Sequence, residues 1–305
     1  MLPLVMPWVL VLLTLISAFL FLFKRWILGV VLFLVVVILN SWSECIPFRL
    51  WEVTNKSDKE ALKVMSFNIS GTSTDIQPKV DRLKKIIANY NPDVLFVAEI
   101  SDENKPTFDS LMKDDYPYMA YTKGYAHGFY SKLPLDGWHK MEKDSIEHLG
   151  IYSCNVFVKN DTIALCGCHF ASNNYTSKKL YVTPDSIRDR ESLKTYLTDI
   201  RLASRLRLQE SMCVKDSIRH TTYPILLMGD LNDVGGSPTV KVLEDAGLSD
   251  AWWKGGFGYG ATIHRPLPYR IDHIMYSDKL KLLHIEVVDS EGLSDHNALY
   301  AEFEI

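Results

Sequence analysis

PILLMGDLNDVGGSP, residues Pro224–Pro238, reads as a buried strand that runs into a polar turn and then into a capped helix. Pro224–Met228 is apolar without alternation, as in a strand covered on both faces. Ser237 and Pro238 are the residue types of an N-cap and a first helical turn, so a short helix is expected over Pro238–Ala246. Asp230 and Asn232, two residues apart, leave the strand's carboxyl end on the same side. There a carboxylate can orient or deprotonate a water while an amide donates to a phosphate oxygen. The plainer reading is a polar turn that only leads into the helix, and this stretch alone does not separate the two.

Other apolar runs close in the same manner. Leu62–Ile69 alternates as a strand and carries Asn68 at its end. Val80, Leu83, Ile86, Ile87 and Tyr90 fall at helical spacing, and Asp93–Ala98, after Asn91-Pro92, is a buried strand that ends on Glu99. Ile151–Val158 and Thr162–Phe170 form an expected hairpin across Lys159-Asn160-Asp161, the second arm carrying His169. Further strands are expected at Tyr118–Thr122, His127–Ser131, Ile271–Tyr276, His284–Val288 and Leu299–Phe303. A long helix is expected over Asp185–Lys215, with Leu193, Leu197, Ile200, Leu202, Leu206 and Met212 on its apolar side. Strands outnumber helices and come in runs, which favours two packed sheets with helices outside.

The polar residues at these ends suit one chemistry. One or two carboxylates plus waters commonly hold Mg²⁺, a role open to Glu99, with the Asn68 carbonyl completing the shell. Asp272, just inside an apolar strand, can hold an imidazole in one tautomer and stabilise its charged form. His296, in Ser294-Asp295-His296-Asn297, is that imidazole, whereas His273 faces the other way. His169 is placed to donate to a non-bridging or leaving oxygen. Each has a plainer alternative: strand-ending turn residues for Asn68 and Glu99, a solvated turn for Asp295-His296, a structural histidine for His169.

Composition divides the 305 residues sharply. Leu2–Phe23 is uncharged and long enough to cross a bilayer, which takes roughly 20 apolar residues. Trp26–Leu39, after Lys24-Arg25, has 14 apolar residues and spans only if Ser41 and Trp42 sit in the interface. The expectation is a transmembrane hairpin over residues 1–42, a juxtamembrane linker over 43–60 and one catalytic domain over 61–305. One span plus an interfacial segment is the next reading, and a cleaved signal peptide is disfavoured because Lys24-Arg25 follows the first apolar run, where a signal peptide has its basic residues before it. The bias of Lys and Arg toward the cytoplasm keeps the turn inside, so the expected location is the cytoplasmic (inner) membrane with the catalytic domain on the extracytoplasmic side. With Lys24, Arg25 and Glu44 set aside, 31 basic residues stand against 36 acidic ones, a net of −5 that offers no footprint for a duplex backbone. The five cysteines do not suggest a disulfide framework, and Cys166 and Cys168 read as small core residues.

Taken in order, Ser66-Phe67-Asn68, the Glu99 strand end, His169, Gly229-Asp230-Leu231-Asn232, Arg270-Ile271-Asp272-His273-Ile274 and Ser294-Asp295-His296 resemble the endonuclease/exonuclease/phosphatase superfamily. This is the fold shared by DNase I, exonuclease III, inositol polyphosphate 5-phosphatases and neutral sphingomyelinases. The resemblance spans about Leu62–Ile305. It implies an α/β (α+β) fold, a four-layer α/β sandwich with two central, mostly antiparallel sheets and the site at one edge. It also implies Mg²⁺-dependent hydrolysis of a phosphoester, Mn²⁺ being the substitute, by an activated water in line with the leaving oxygen. Carried over by position, Glu99 binds the metal with Asn68 and Asp295 in or near its shell. Asp230 activates the water with Asn232 beside it, Asp272 orients His296 against the phosphate, and His169 matches a second catalytic histidine.

Ala98 stands where many members have glutamine, and Cys168 where threonine commonly precedes the histidine; neither change removes a reacting group. Asn173–Lys179 and the glycine-rich Gly255–Thr262 look like those of membrane-anchored bacterial members. The expected substrate is a phosphodiester at or near a membrane, such as a phospholipid head group, with a small phosphodiester or nucleic acid as alternatives. The membrane is the expected partner, with no protein partner inferred. Tyr121, Tyr125, Trp252, Trp253, Phe257 and Tyr259 either line the cleft or belong to the core and loops. A catalytically silent member acting as an interaction module is the rival from another class.

Overall fold

A strand that is apolar on both faces has to be covered on both, and each of the two sheets of this chain meets that requirement. The computed structural model describes residues 2–47, 61–70, 77–121, 127–140, 150–173, 190–264 and 267–305. In chain order the first elements are α1 (Leu2–Leu22), α2 (Trp26–Ser43), β1 (Ala61–Asn68), α3 (Gln77–Tyr90), β2 (Val94–Ala98) and α4 (Lys105–Met112). β3 (Tyr118–Tyr121), β4 (Gly128–Ser131), β5 (Leu135–Lys140), β6 (Ile151–Val158), β7 (Asp161–His169) and α5 (Arg190–Ile218) follow. The chain closes with β8 (Ile225–Asp230), α6 (Pro238–Glu244), β9 (Leu248–Asp250), α7 (Ala251–Gly255), β10 (Asp272–Ser277), β11 (Lys281–Val288) and β12 (Ala298–Glu304).

One sheet has the order β11-β12-β1-β2-β4-β3, the other β5-β6-β7-β8-β10-β9. Both are antiparallel except at the centre, where β1 pairs with β2 and β7 with β8 in parallel. Parallel neighbours need a crossover, and α3 lies in the first connection, α5 in the second. Leu62, Val64, Phe96 and Phe129 of one sheet share a core with Leu165, Leu226, Met228 and Ile274 of the other. On the outer face of the first sheet, Met65, Phe67, Leu95 and Val97 meet Val80, Leu83 and Ile87 of α3 and Phe108 of α4. On that of the second, Cys166, Cys168 and Leu227 meet Val214 and Ile218 of α5 and Val240 and Leu243 of α6. The result is helix, sheet, sheet, helix, the four layers expected. Gly167 marks a close approach of the sheets, because a Cβ there would run into the Phe96 ring.

Some elements have no counterpart in the sequence pattern. β5 loses its alternation at Gly137, where φ is 72° and the register with β6 slips between Asp136 and His139. α4, β9 and α7 span only 8, 3 and 5 residues, too few for a period to show. The expected start of α5 at Asp185 lies outside the described residues, as do Tyr125 and positions 48–60 of the expected linker. All five cysteines are free and buried, with the sulfurs of Cys166 and Cys168 3.7 Å apart.

The amino-terminal helices form a hairpin packed along Met6, Leu10 and Val36, with Ser17 Oγ donating to the Gly29 carbonyl at 2.9 Å. Leu15, Leu22, Ile27 and Ile38 point outward and are exposed. Both helices are long and apolar enough to cross a membrane. α2 outlasts its apolar run because Asn40 turns its amide onto the backbone of Ile46, donating to the carbonyl at 2.7 Å and accepting from the N–H at 3.0 Å. The open end of the hairpin rests on the globular part. Glu44 pairs with Lys241 at 2.7 Å, the Pro47 carbonyl accepts from the Gly258 N–H at 3.0 Å, and Trp8 Nε1 donates to the Tyr269 hydroxyl at 3.3 Å.

Candidate active site

Sheet topology places the polar strand ends together. β1 and β2 are parallel with Asn68 opposite Ala98, and β7 and β8 are parallel with His169 opposite Asp230, so Asn68, Glu99, His169 and Asp230 all stand at carboxyl ends. β10 runs antiparallel to β8 and therefore starts at the same edge, with Asp272 opposite Asp230. The loop before β12 delivers His296, which bridges to Ile263. Gly229 allows this convergence: its φ is 143°, and a Cβ there would run into the Cys168 carbonyl. Glu99 and Asn232 are held at φ of 60° and 49°. Such backbone costs roughly 1–3 kcal/mol for a non-glycine residue and clusters where side chains must be aimed.

Around Asp230 the distances are short. Asn68 Nδ2 donates to Glu99 Oε1 at 2.9 Å and to Asp230 Oδ2 at 3.2 Å. His169 Nε2 lies 3.3 Å from Glu99 Oε1 and 3.9 Å from Asp230 Oδ2, and His296 Nε2 lies 3.8 Å from Asp230 Oδ2. His296 Nδ1 donates to Asp272 Oδ2 at 2.8 Å. Asp230 Oδ1 accepts from the Asn232 N–H at 2.7 Å, and Asn232 Nδ2 donates to the Phe170 carbonyl at 2.9 Å. Thus five of the sequence-predicted residues meet around Asp230, with Asn232 at their margin. Asn68 differs from expectation in orientation: its Oδ1 accepts from the Ser70 N–H at 3.0 Å, so the amide presents its nitrogen to the carboxylates. Asp295 is exposed and accepts from Ser294 Oγ at 3.4 Å, at the rim of the group. His273 is structural, its ring held by Asp250 and the Asp233 carbonyl at 2.9 Å each.

Burial and the Asp272 charge push the Asp230 carboxyl up to about 6, against the pull of His296 and His169. Burial works against a charge on His296, but Asp272 and then Asp230 raise it to about 10, so it is an imidazolium at neutral pH. Burial likewise works against an ionised Glu99, yet His169 and Asn68 bring it down to about 2. On His169, burial is outweighed by Glu99 and Asp230, and the net shift is upward.

Sequence reasoning missed two residues here. The Glu99 N–H donates to His127 Nδ1 at 3.2 Å, which leaves the proton of a neutral His127 on Nε2. That nitrogen faces His169 Nδ1 at 3.3 Å, so the His169 proton in play sits on Nε2, directed at Glu99. Lys79 donates to the Ile69 and Ser70 carbonyls at 2.9 and 2.7 Å. With His264, Asp295 and Asn297 it lines a cleft of about 720 Å³ beside the carboxylates. Of the aromatics, Trp252 is buried with Nε1 donating to the Gly258 carbonyl at 3.1 Å, and Tyr121 lies under the Lys105 ammonium.

The donor set fits a hard divalent cation. The carboxylate oxygens of Glu99 and Asp230 are its donors: they and His169 lie within 4.8 Å of one another, as do Asp230, Asp272 and His296, the protonated ring nitrogens donating to the carboxylates rather than ligating. Glu99 is ionised with its side chain 36% exposed, and Asp230 is destabilised by the Asp272 charge, a strain that a cation with water ligands relieves.

A buried ion pair braces the strand that bears Asp272. Asp250 accepts from Arg270 Nη1 at 2.8 Å and from the Trp253 N–H at 3.2 Å, capping α7. Burial opposes its charge, but Arg270 and His273 hold its carboxyl well below the usual carboxylate range. Asp250→Ala leaves a buried guanidinium unpaired and is expected to cost about 3–5 kcal/mol of stability. Urea unfolding followed by tryptophan fluorescence checks this, and an unchanged midpoint would refute the brace.

The sequence profile described as "Endonuclease/Exonuclease/phosphatase family" matches residues 65–179 and 201–296. No curated protein sequence matches the chain. Among solved structures, a humanized TDP2 from D. rerio superposes with a TM-score of 0.59 at 18% identity, covering 80% of this chain and 99% of that one. A variant of the 3′ phosphatase NExo from Neisseria, bound to a product DNA hairpin, gives 0.59 at 16%, covering 80% and 100%. An endonuclease/exonuclease/phosphatase family protein from Leptotrichia buccalis gives 0.57 at 15%, also covering 80% and 100%. At these identities the likeness is one of fold.

Proposed function

Because the chain belongs to the Endonuclease/Exonuclease/phosphatase family and is thereby a phosphoester hydrolase, we propose that it is a Mg²⁺-dependent, membrane-tethered phosphodiesterase acting on phospholipid head groups or similar diesters near a membrane. The observation that supports this most is the meeting of Asn68, Glu99, His169, Asp230, Asp272 and His296 at one edge of two sheets. Mg²⁺, with Mn²⁺ as substitute, supplies Lewis-acid polarisation of the phosphoryl oxygen when bound. Glu99 would hold it, with Asp295 in or near its shell and Asn68 beside them, its amide nitrogen donating to the carboxylates of Glu99 and Asp230.

Asp230 takes a proton from the attacking water, a task suited to a carboxyl raised to about 6. Asn232 stands beside it toward the phosphate. The His296 imidazolium, oriented by Asp272, binds a phosphoryl oxygen as charge builds there. His169 offers Nε2–H toward the leaving oxygen. Residues 1–42 are the transmembrane segments, 43–60 the linker and 61–305 the catalytic domain. Lys24-Arg25 at the turn favours the cytoplasmic (inner) membrane with the catalytic domain outside the cytoplasm.

A nuclease is the second reading. The D. rerio TDP2 complexed with single strand DNA product and the DNA-bound NExo share this fold. The net of −5 beyond the hairpin weighs against a duplex substrate.

A panel of bis-(p-nitrophenyl) phosphate, a phosphomonoester, phospholipid vesicles and DNA, each with Mg²⁺, is the test. Turnover of the soluble diester and the vesicle lipid is expected. Turnover of DNA alone transfers the reading to the nuclease, and of the monoester alone refutes diesterase action. In the same assays kcat/KM is expected to rise with pH as Asp230 loses its proton, at about 6 or below because a bound cation favours the carboxylate. It then falls only as His296 loses its proton at about 10. A rising limb well above pH 7 contradicts Asp230 as the base.

A further inference from the structure

Two large apolar side chains of the globular part stand exposed where the hairpin joins it. Phe257 is 67% exposed and Leu267 44%. Phe257 precedes Gly258, whose N–H donates to the carbonyl of Pro47, just past the end of α2 at Ser43. Leu267 precedes Tyr269 by two residues, and the Tyr269 ring meets Trp8 of α1 edge-on with centroids 6.4 Å apart.

Helix geometry sets the depth of this junction. The apolar stretch of α1, Pro3–Leu22, has 20 residues. At 1.5 Å per residue that is about 30 Å, the thickness of a bilayer's hydrocarbon core. Trp8 lies five residues, about 8 Å, inside the outer end of that stretch. A globular surface that touches Trp8 therefore stands at or below the head-group boundary. Trp8 itself and Trp42, 66% exposed near the end of α2, are the residue type that gathers at that boundary.

The same surface continues into the site. Ile263 bridges to both Tyr269 and His296, and Thr262 Oγ1 accepts from the N–H groups of Ile271 and Asp272 at 3.1 Å each. Whatever fixes the level of this segment fixes the level of Asp272 and His296.

We propose that Phe257 and Leu267 form a second membrane contact, entering the head-group region of the bilayer that the hairpin crosses and turning the mouth of the site toward phosphoesters of that bilayer. The inference rests on the hairpin spanning a membrane. A lipid surface is the occupant that these contacts favour, because the patch is continuous with the exposed flanks of two apolar helices.

The test uses the full chain in phosphatidylcholine/phosphatidylglycerol vesicles. Phe257→Cys and, separately, Leu267→Cys are labelled with the environment-sensitive dye NBD; the five native cysteines are buried. Asn160→Cys is the reference, in the exposed turn at the end of the second sheet remote from His169. Blue-shifted emission at 257 and 267, quenched several-fold more than at 160 by nitroxides on the acyl chains, is expected. Emission and quenching equal to those at 160, in protein that floats with the vesicles after an alkaline wash, overturn the contact and leave the hairpin reading standing. A blue shift without nitroxide quenching marks a protein occupant and also overturns it. Protein that does not float refutes the hairpin reading, and this inference with it.

Discussion

Asp230→Asn is expected to lower turnover by about 10²–10⁴-fold, the range a positioned general base contributes. The substitution keeps the volume of a buried side chain. It also keeps an oxygen for the Asn232 N–H, which Oδ1 accepts at 2.7 Å, so the fold should persist. What it removes is the proton acceptor and one of the two charges that meet where β8 faces β10. KM should move little, because the change acts on the reacting water rather than on substrate contacts. Circular dichroism and melting of the variant establish that it is folded, and hydrolysis at the parent rate in such a protein ends the water-activating role. The same measurement separates the enzyme from a silent interaction module, which has no turnover to lose.

Chelation is expected to have an effect at least as large. A cation in the site supplies several kcal/mol of charge stabilisation, and about 4 kcal/mol corresponds to about a thousandfold in rate. EDTA should therefore abolish measurable hydrolysis, and excess Mg²⁺ should restore it. Glu99→Gln should raise the Mg²⁺ concentration needed for half-maximal rate. Binding also leaves a mark independent of turnover, because a cation that binds only the folded chain raises its melting temperature with concentration. A parent protein indifferent to EDTA, in rate and in melting, contradicts the assignment to Glu99.

Much of this arrangement was legible in the sequence because most of these polar residues open or close an apolar run. Asn68, Glu99, His169 and Asp230 end strands buried on both faces, where a polar residue has no packing role. The four layers follow from the same runs. His127 was not legible, since it precedes a buried strand instead of closing one. Its place against Glu99 comes from the antiparallel register that sets Gly128 opposite Val97, which no local pattern encodes. Lys79 was hidden for a related reason: it sits in the first turn of α3 and reaches back to carbonyls that close β1. Asn68 ends its strand as expected, but which amide atom faces the carboxylates depends on the Ser70 N–H and so on the loop's path. The hairpin was visible by composition, whereas its seat on Lys241, Gly258 and Tyr269 is a tertiary fact.

The two sheets follow one plan, a parallel pair at the centre with antiparallel strands outward, and neither holds the polar cluster alone. Asn68 and Glu99 come from the first sheet, His169, Asp230 and Asp272 from the second, and His296 from the loop that re-enters the first. The cluster is thus a property of the seam between the two sheets. A side chain at Gly167, where a Cβ would run into the Phe96 ring, presses the two sheets apart and is expected to spread the cluster that they share.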